Sequence, residues 1–132
     1  MKTKSLIIVI LSISALLASC APAAAKLDGS QWQLSVMNGK AIPSDVEITL
    51  EFVNGRAGGK GACNGYGADY KQSGEKLKLG PAVSTMMYCE GVMEIEFEYL
   101  KAFGEVVSFE IEDSKLFLKN SNGMRMLEFL KK

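Results

Sequence analysis

Apolar and polar residues alternate along most of the chain beyond residue 30, and in one stretch the period changes. Trp32, Leu34 and Val36 are separated by Gln33 and Ser35, a spacing of two that predicts a half-buried strand, and Asn38-Gly39 follows as a turn signal. Val46, Ile48, Leu50 and Phe52 then share one face while Glu47, Thr49 and Glu51 share the other. Asn54-Gly55 closes that strand with a pair suited to φ above zero at both turn positions. The returning strand, Arg56 to about Ala62, is glycine-rich, and a bulge or sharp coil there is expected to curl the sheet. Short strands follow at Ala68 to Gln72 and Lys76 to Leu79, joined at Ser73-Gly74 and ended by Gly80-Pro81.

From Glu90 to Phe103 the period becomes helical. Val92, Ile95, Tyr99 and Phe103, widened by Met93, Phe97 and Leu100, predict an apolar face, with Glu90, Glu94, Glu98 and Lys101 opposite and Gly104 placed as a C′ residue. Alternation then returns in Val107 to Glu112, in Lys115 to Lys119 after an Asp113-Ser114 turn, and in Met124 to Leu130 after Asn120-Ser121-Asn122-Gly123. Many short strands, local hairpins and one helix predict a mostly β (α+β) fold. The expected form is a curled antiparallel sheet or small open barrel, with the amphipathic helix packed against an open side.

The densest cluster of unusual residues runs from Gly58 to Tyr70 and includes Gly61, Cys63, Asn64 and Tyr66. Glycines beside aromatic side chains indicate a backbone that turns with positive φ or approaches another segment closely. Asn64 suits either a left-handed conformation or an amide turned onto the local backbone, and Thr85 suits a tie to an exposed backbone group before the helix. Trp32, Tyr66, Tyr70, Tyr88 and Tyr99 fit core packing, or else the wall of a ligand cavity within the curled sheet.

The chain contains no histidine, which removes Ser-His-Asp and Cys-His chemistry and the commonest metal ligand. Glu90, Glu94 and Glu98 read as a solvated stripe rather than an acid/base pair. No catalytic residue, metal ligand or cofactor motif is expected.

At the start of the chain, Met1-Lys2-Thr3-Lys4 is a basic n-region and Leu6 to Leu16 an apolar h-region too short to span a bilayer comfortably as a permanent helix. Leu17-Ala18-Ser19-Cys20 resembles a bacterial lipobox, so residues 1–19 are expected to be a lipoprotein signal peptide and Cys20 the lipidated residue. The alternative is an ordinary signal peptide cut near Ala18 to Ala24. Residues 20–26 then form a tether and residues 27–132 the domain. Loss of Lys2 and Lys4 from 15 basic residues leaves 13 against 15 acidic ones, which gives no electrostatic reason to expect nucleic acid as a partner. Cys63 and Cys89 remain as an even pair in an oxidising compartment, where a disulfide is expected and two buried free thiols are the alternative. A bridge would fasten the start of the helix to the glycine-rich turn. A redox role would need a strained or exposed bridge.

Leu27 to Leu34 with Gly29 and Trp32, the Ile48 to Phe52 strand, Gly61-Ala62-Cys63-Asn64-Gly65-Tyr66 and Thr85-Met86-Met87-Tyr88-Cys89 together resemble the META domain, the family that includes HslJ-type heat-shock lipoproteins of bacteria. The resemblance covers Leu27 to about Phe129 and implies a β-rich fold with one helix, in an envelope lipoprotein associated with stress tolerance and without an agreed catalytic activity. Its shared residues (Gly29, Trp32, Gly61, Asn64, Tyr66, Thr85, Met87) are implied to be architectural. Family members often carry Arg where this chain has Met86, so no role of that charge transfers. Ala21 after the lipidated cysteine favours the outer membrane under the enterobacterial sorting rule, given a Gram-negative source. The function expected is support of envelope integrity or stress resistance by binding an envelope protein or lipid, with membrane attachment through Cys20. The alternative is a pilotin-like or lipocalin-like carrier of an acyl chain or partner peptide.

Overall fold

The alternating segments form strands that pair antiparallel around a ring. The computed structural model describes residues 23–132, so the expected signal peptide, Cys20 and the first part of the expected tether lie outside the described residues. The elements are β1 (Ser30–Met37), β2 (Lys40–Ala41), β3 (Thr49–Val53), β4 (Arg56–Lys60), β5 (Gly65–Ser73), β6 (Lys76–Leu79), β7 (Val83–Ser84), α1 (Met93–Gly104), β8 (Ser108–Glu112), β9 (Lys115–Lys119) and β10 (Arg125–Lys131). Hydrogen bonding runs β10-β9-β8-β6-β5-β4-β3-β1, and β1 also pairs with β10, so the sheet closes on itself.

The turns behave as their residues dictate. Asn38-Gly39 and Asn54-Gly55 hold φ of 49°, 77°, 51° and 77°, as a two-residue hairpin of the primed type requires. Asp113 and Ser114 do the same at 50° and 61°. Val46 and Ile48 precede β3 without joining it, yet both are buried, and Leu34 N–H donates to Ile48 C=O at 2.9 Å.

The sheet curls by a different device from the one the glycines predicted. β4 and β5 pair in unbroken register from Arg56↔Asp69 to Lys60↔Gly65, whereas the register shifts lie in β1, between Leu34 and Val36, and in β10, between Arg125 and Leu127. Gly58 and Gly59 serve close approach. A Cβ on Gly58 would sit 2.4 Å from the Tyr66 carbonyl oxygen, and one on Gly59 2.5 Å from that of Thr49.

One core fills the ring. Leu50, Phe52, Leu116, Leu118, Leu127 and Phe129 are fully buried within it, and α1 adds Tyr99 and Phe103. The Tyr66 ring packs edge-on against both helix aromatics, at 5.3 Å each, and Tyr99 meets Phe129 at 6.5 Å. The helix starts three residues later than the period predicts, at Met93, and Gly104 is its last residue rather than the one beyond it; Glu105 forms the cap. Phe97, expected on the buried face, is 71% exposed.

Candidate functional site

β5 runs between two ends of the molecule, and the motif residues divide between them. At its Ser73 end, the Gln72 side chain accepts from Leu27 N–H at 3.0 Å and donates to Ala25 C=O at 2.7 Å, so the incoming chain is fastened there. Gly29, with φ of 82°, donates its N–H to Phe52 C=O at 2.6 Å, and buried Trp32 donates its indole N–H to Ser30 Oγ at 2.7 Å. Gly61, Cys63, Asn64, Thr85, Met87 and Cys89 gather around the Gly65 end.

Asn64 is the hub of that second cluster. It is 2% exposed, and all four hydrogen-bonding positions of its side chain are used. Oδ1 accepts from Thr85 Oγ1 at 2.9 Å and from Met87 N–H at 2.7 Å. Nδ2 donates to Met87 C=O at 3.1 Å and to Glu96 Oε1 at 2.5 Å. The amide therefore engages the Met87 backbone as a neighbouring strand would. It neither holds positive φ nor folds onto its own backbone, as the sequence suggested, and Thr85 ties to this side chain rather than to a backbone group.

Glu96, on α1, completes the cluster. The residue is 4% exposed, and its Oε2 accepts from Cys63 N–H at 2.5 Å and Asn64 N–H at 2.7 Å. Burial pushes its pKa upward, but the Asn64 side chain and the two backbone donors outweigh that and hold it below the usual glutamate value. Gly61 is required for the turn, since a Cβ there would stand 2.9 Å from both the Asn64 carbonyl oxygen and Glu96 Oε2. The Cys63–Cys89 disulfide, with Cα atoms 5.7 Å apart, spans the same elements. One carboxylate thus receives the turn, one amide fastens the segment after β7, and a covalent bond ties both to the approach to α1.

Glu96 was not singled out in the sequence, although a signal existed. Val92, Glu96, Tyr99 and Phe103 follow heptad-like spacing, and a carboxylate inside an apolar stripe needs partners. Glu90, Glu94 and Glu98 are exposed, as their face predicted. Tyr66 lies just inside the cluster. It donates to Thr49 C=O at 2.8 Å, so Tyr99 donates to Tyr66 across 2.5 Å, and burial raises the pKa of both phenols. Tyr88 does not join the core inside the ring; it is 80% exposed.

Outside this polar cluster lies a groove of about 370 Å³, lined chiefly by Met86, Met87, Tyr88, Met93, Phe97 and Leu100. It lies open at the surface. Its walls can hold apolar side chains, and the one carboxylate on it, Glu96, is already occupied by three N–H donors.

The family model of the META domain matches residues 25–132, nearly all of the described chain. The chain belongs to the META domain family. An NMR structure of a protein from Burkholderia xenovorans is similar at 27% identity and a TM-score of 0.68, covering 85% of this chain and 92% of that one. A second NMR structure is similar at 20% identity and a TM-score of 0.63, covering 79% and 90%, and shares the fold. No curated protein matches the sequence. Within the META domain, the Cys63-Asn64 and Thr85 to Cys89 motifs are thus the two halves of one fastening, with α1 supplying the carboxylate.

Proposed function

We propose that this META domain is a non-catalytic binding module of the cell envelope. In this reading it is carried by lipid on Cys20 at the outer membrane of a Gram-negative cell, and supports envelope integrity or stress resistance by holding another envelope component. The observation that carries the reading is the state of the polar groups at the motif cluster. The Asn64 amide and the Glu96 carboxylate bond to the protein itself, and what the cluster presents outward is a methionine and aromatic surface. Packing of Tyr66, Tyr99, Phe103 and Phe129 inside the ring favours a surface site over a carrier cavity in the interior.

The test is complementation of a deletion strain with the wild-type gene and with Cys20→Ala, scored by radioactive palmitate incorporation, membrane fractionation and survival under envelope stress. Label and membrane association are expected only with Cys20, and protection only when the protein is anchored. A turnover reaction that persists through purification and disappears on changing one polar residue would overturn the reading.

A further inference from the structure

The hairpin of β5 and β6 carries three lysines on one outward face. Lys71↔Lys78 and Ser73↔Lys76 are direct cross-strand partners, and Leu77, between the two lysines of β6, is buried on the other face. Lys71, Lys76 and Lys78 are all exposed, and none of them is in an ion pair with a described residue. Like charges held directly opposite one another work against a hairpin, so this face keeps a positive potential that the domain does not neutralise. The carboxylates around it are engaged elsewhere: Asp69 pairs with Arg56 at 2.8 Å, Glu110 pairs with Lys119 and Arg125 at 2.5 and 2.8 Å, and Asp28 accepts from Asn54 N–H and Tyr70 O–H. Exposed Glu75, in the turn of the hairpin, opposes the lysines, and exposed Lys26 adds to them.

The described chain starts at this hairpin. Gln72, next to Lys71, donates to Ala25 C=O at 2.7 Å and accepts from Leu27 N–H at 3.0 Å. Ala23 and Ala24 line one hollow with Tyr70 and Gln72, and a second with Glu75 and Ile111. Cys20 stands three positions before Ala23 in the sequence, a separation that spans at most about 11 Å.

We propose that the outward face of the β5–β6 hairpin rests on an anionic phospholipid surface, with Lys71, Lys76 and Lys78 against the headgroup phosphates. The inference rests on the lipid-anchored reading, and adds to it the face that the domain turns to its membrane and the lipid charge that this face selects. Charge and point of attachment agree. A lipid on Cys20 brings the bilayer to the hairpin, and each lysine near an anionic surface favours contact by about fivefold.

The experiment uses residues 20–132 with the Cys63–Cys89 bridge formed, coupled through the Cys20 thiol to a maleimide lipid. Two kinds of vesicle are compared, phosphatidylglycerol with phosphatidylethanolamine, and phosphatidylcholine alone. Acetylation of each lysine by an N-hydroxysuccinimide ester is timed by mass spectrometry. An anionic surface near about −30 mV concentrates protons about threefold, so Lys71, Lys76 and Lys78 are expected to react slower by at least that factor on the phosphatidylglycerol vesicles. Lys101 on α1 and Lys40 on β2 are expected to react alike on both; Lys40 lies beside β1, four strands from β6 either way round the ring. The double variant Lys71→Gln, Lys78→Gln removes the opposed charges from exposed positions. It should return Lys76 to its rate on phosphatidylcholine at an unchanged melting temperature.

Equal rates on the two kinds of vesicle would overturn the proposal, as would slowing at Lys40 or Lys101 in place of the hairpin lysines, or slowing of Lys76 that the double variant retains. Slowing as strong from a capped decaglutamate in solution, with no vesicles present, would overturn it too and assign the face to an acidic protein segment. The thiol coupling supplies the lipid chemically, so these rates do not depend on palmitate incorporation in cells, and the two readings fail separately.

Discussion

At the scale of single residues, the molecule turns on Asn64 and Glu96, and their chemistry explains why those types stand there. Position 64 needs two acceptor sites for Thr85 and Met87 N–H together with two donors for Met87 C=O and Glu96, a set that an amide provides and a carboxylate does not. Position 96 receives three N–H groups, which suits an ionised carboxylate. Glu96→Gln keeps the shape but turns an N–H toward a donor, and is expected to cost about 2 kcal/mol in urea unfolding at neutral pH. The folded carboxyl holds its proton less tightly than the unfolded one, so its stabilisation is complete above about pH 4.3 and is lost as pH falls through the lower folded value. The gap between wild type and Glu96→Gln should therefore narrow on acidification; a gap independent of pH down to about 2 would contradict the charge-based account. Asn64 was visible in the sequence as an architectural residue, but its partners lie 21 to 32 residues away, and local rules favoured a local role. Such pairings are set by tertiary folding, which spacing along the chain does not encode.

At the scale of elements, the sequence was most legible where side chains alternate. Each hairpin that follows from a two-residue period and a turn pair is present, because period 2 selects a face and an Asn-Gly turn selects a register. The helix was legible in type but blurred at its borders. Residues 90–92 form a turn fixed by the neighbouring disulfide and Gly91 at φ of 82°, and Phe97 faces out because the apolar stripe is wider than the surface it covers. The site's fastening of loop to helix is itself partly covalent, and that part can be removed alone. Closing a loop between cysteines 26 positions apart is expected to contribute about 3.5 kcal/mol by restricting the unfolded chain. Cys63→Ser with Cys89→Ser should lower stability by roughly that amount while the Asn64 and Glu96 bonds keep the turn in place. Chemical denaturation gives the loss, and unchanged amide shifts for Thr85 and Met87 would show that the polar cluster holds the geometry without the bridge. Collapse of those shifts would make the bridge the primary fastening.

At the scale of the whole molecule, a ring of strands is as strong as its weakest seam, and the seams here are unequal. β1 and β10, the first and last strands described, pair over five register positions from Trp32↔Lys131 to Met37↔Leu127. β6 and β8 meet at one, Lys76↔Ser108, supported by Leu77 N–H to Val107 C=O at 3.0 Å and Phe109 N–H to Glu75 C=O at 2.9 Å. The connection from β6 to β8 carries β7 and α1, so the fold spends that gap on the helix and its motif cluster, and the small open barrel predicted from sequence is a ring closed by a short seam. Closure itself was not legible, because neither strand's pattern states how far its partner runs beside it. Local opening follows the fewest hydrogen bonds. Hydrogen exchange in native conditions should therefore find the amides of Leu77 and Phe109 less protected than those of Gln33 and Leu130, which pair across β1 and β10, although Leu77 and Phe109 are buried and Gln33 and Leu130 are exposed. The same opening frees α1 and the groove beside β7 from one side while β1 and β10 remain paired. Uniform protection around the ring would mean that the interior packing of Tyr99 and Phe103, rather than the strand bonds, holds this side shut.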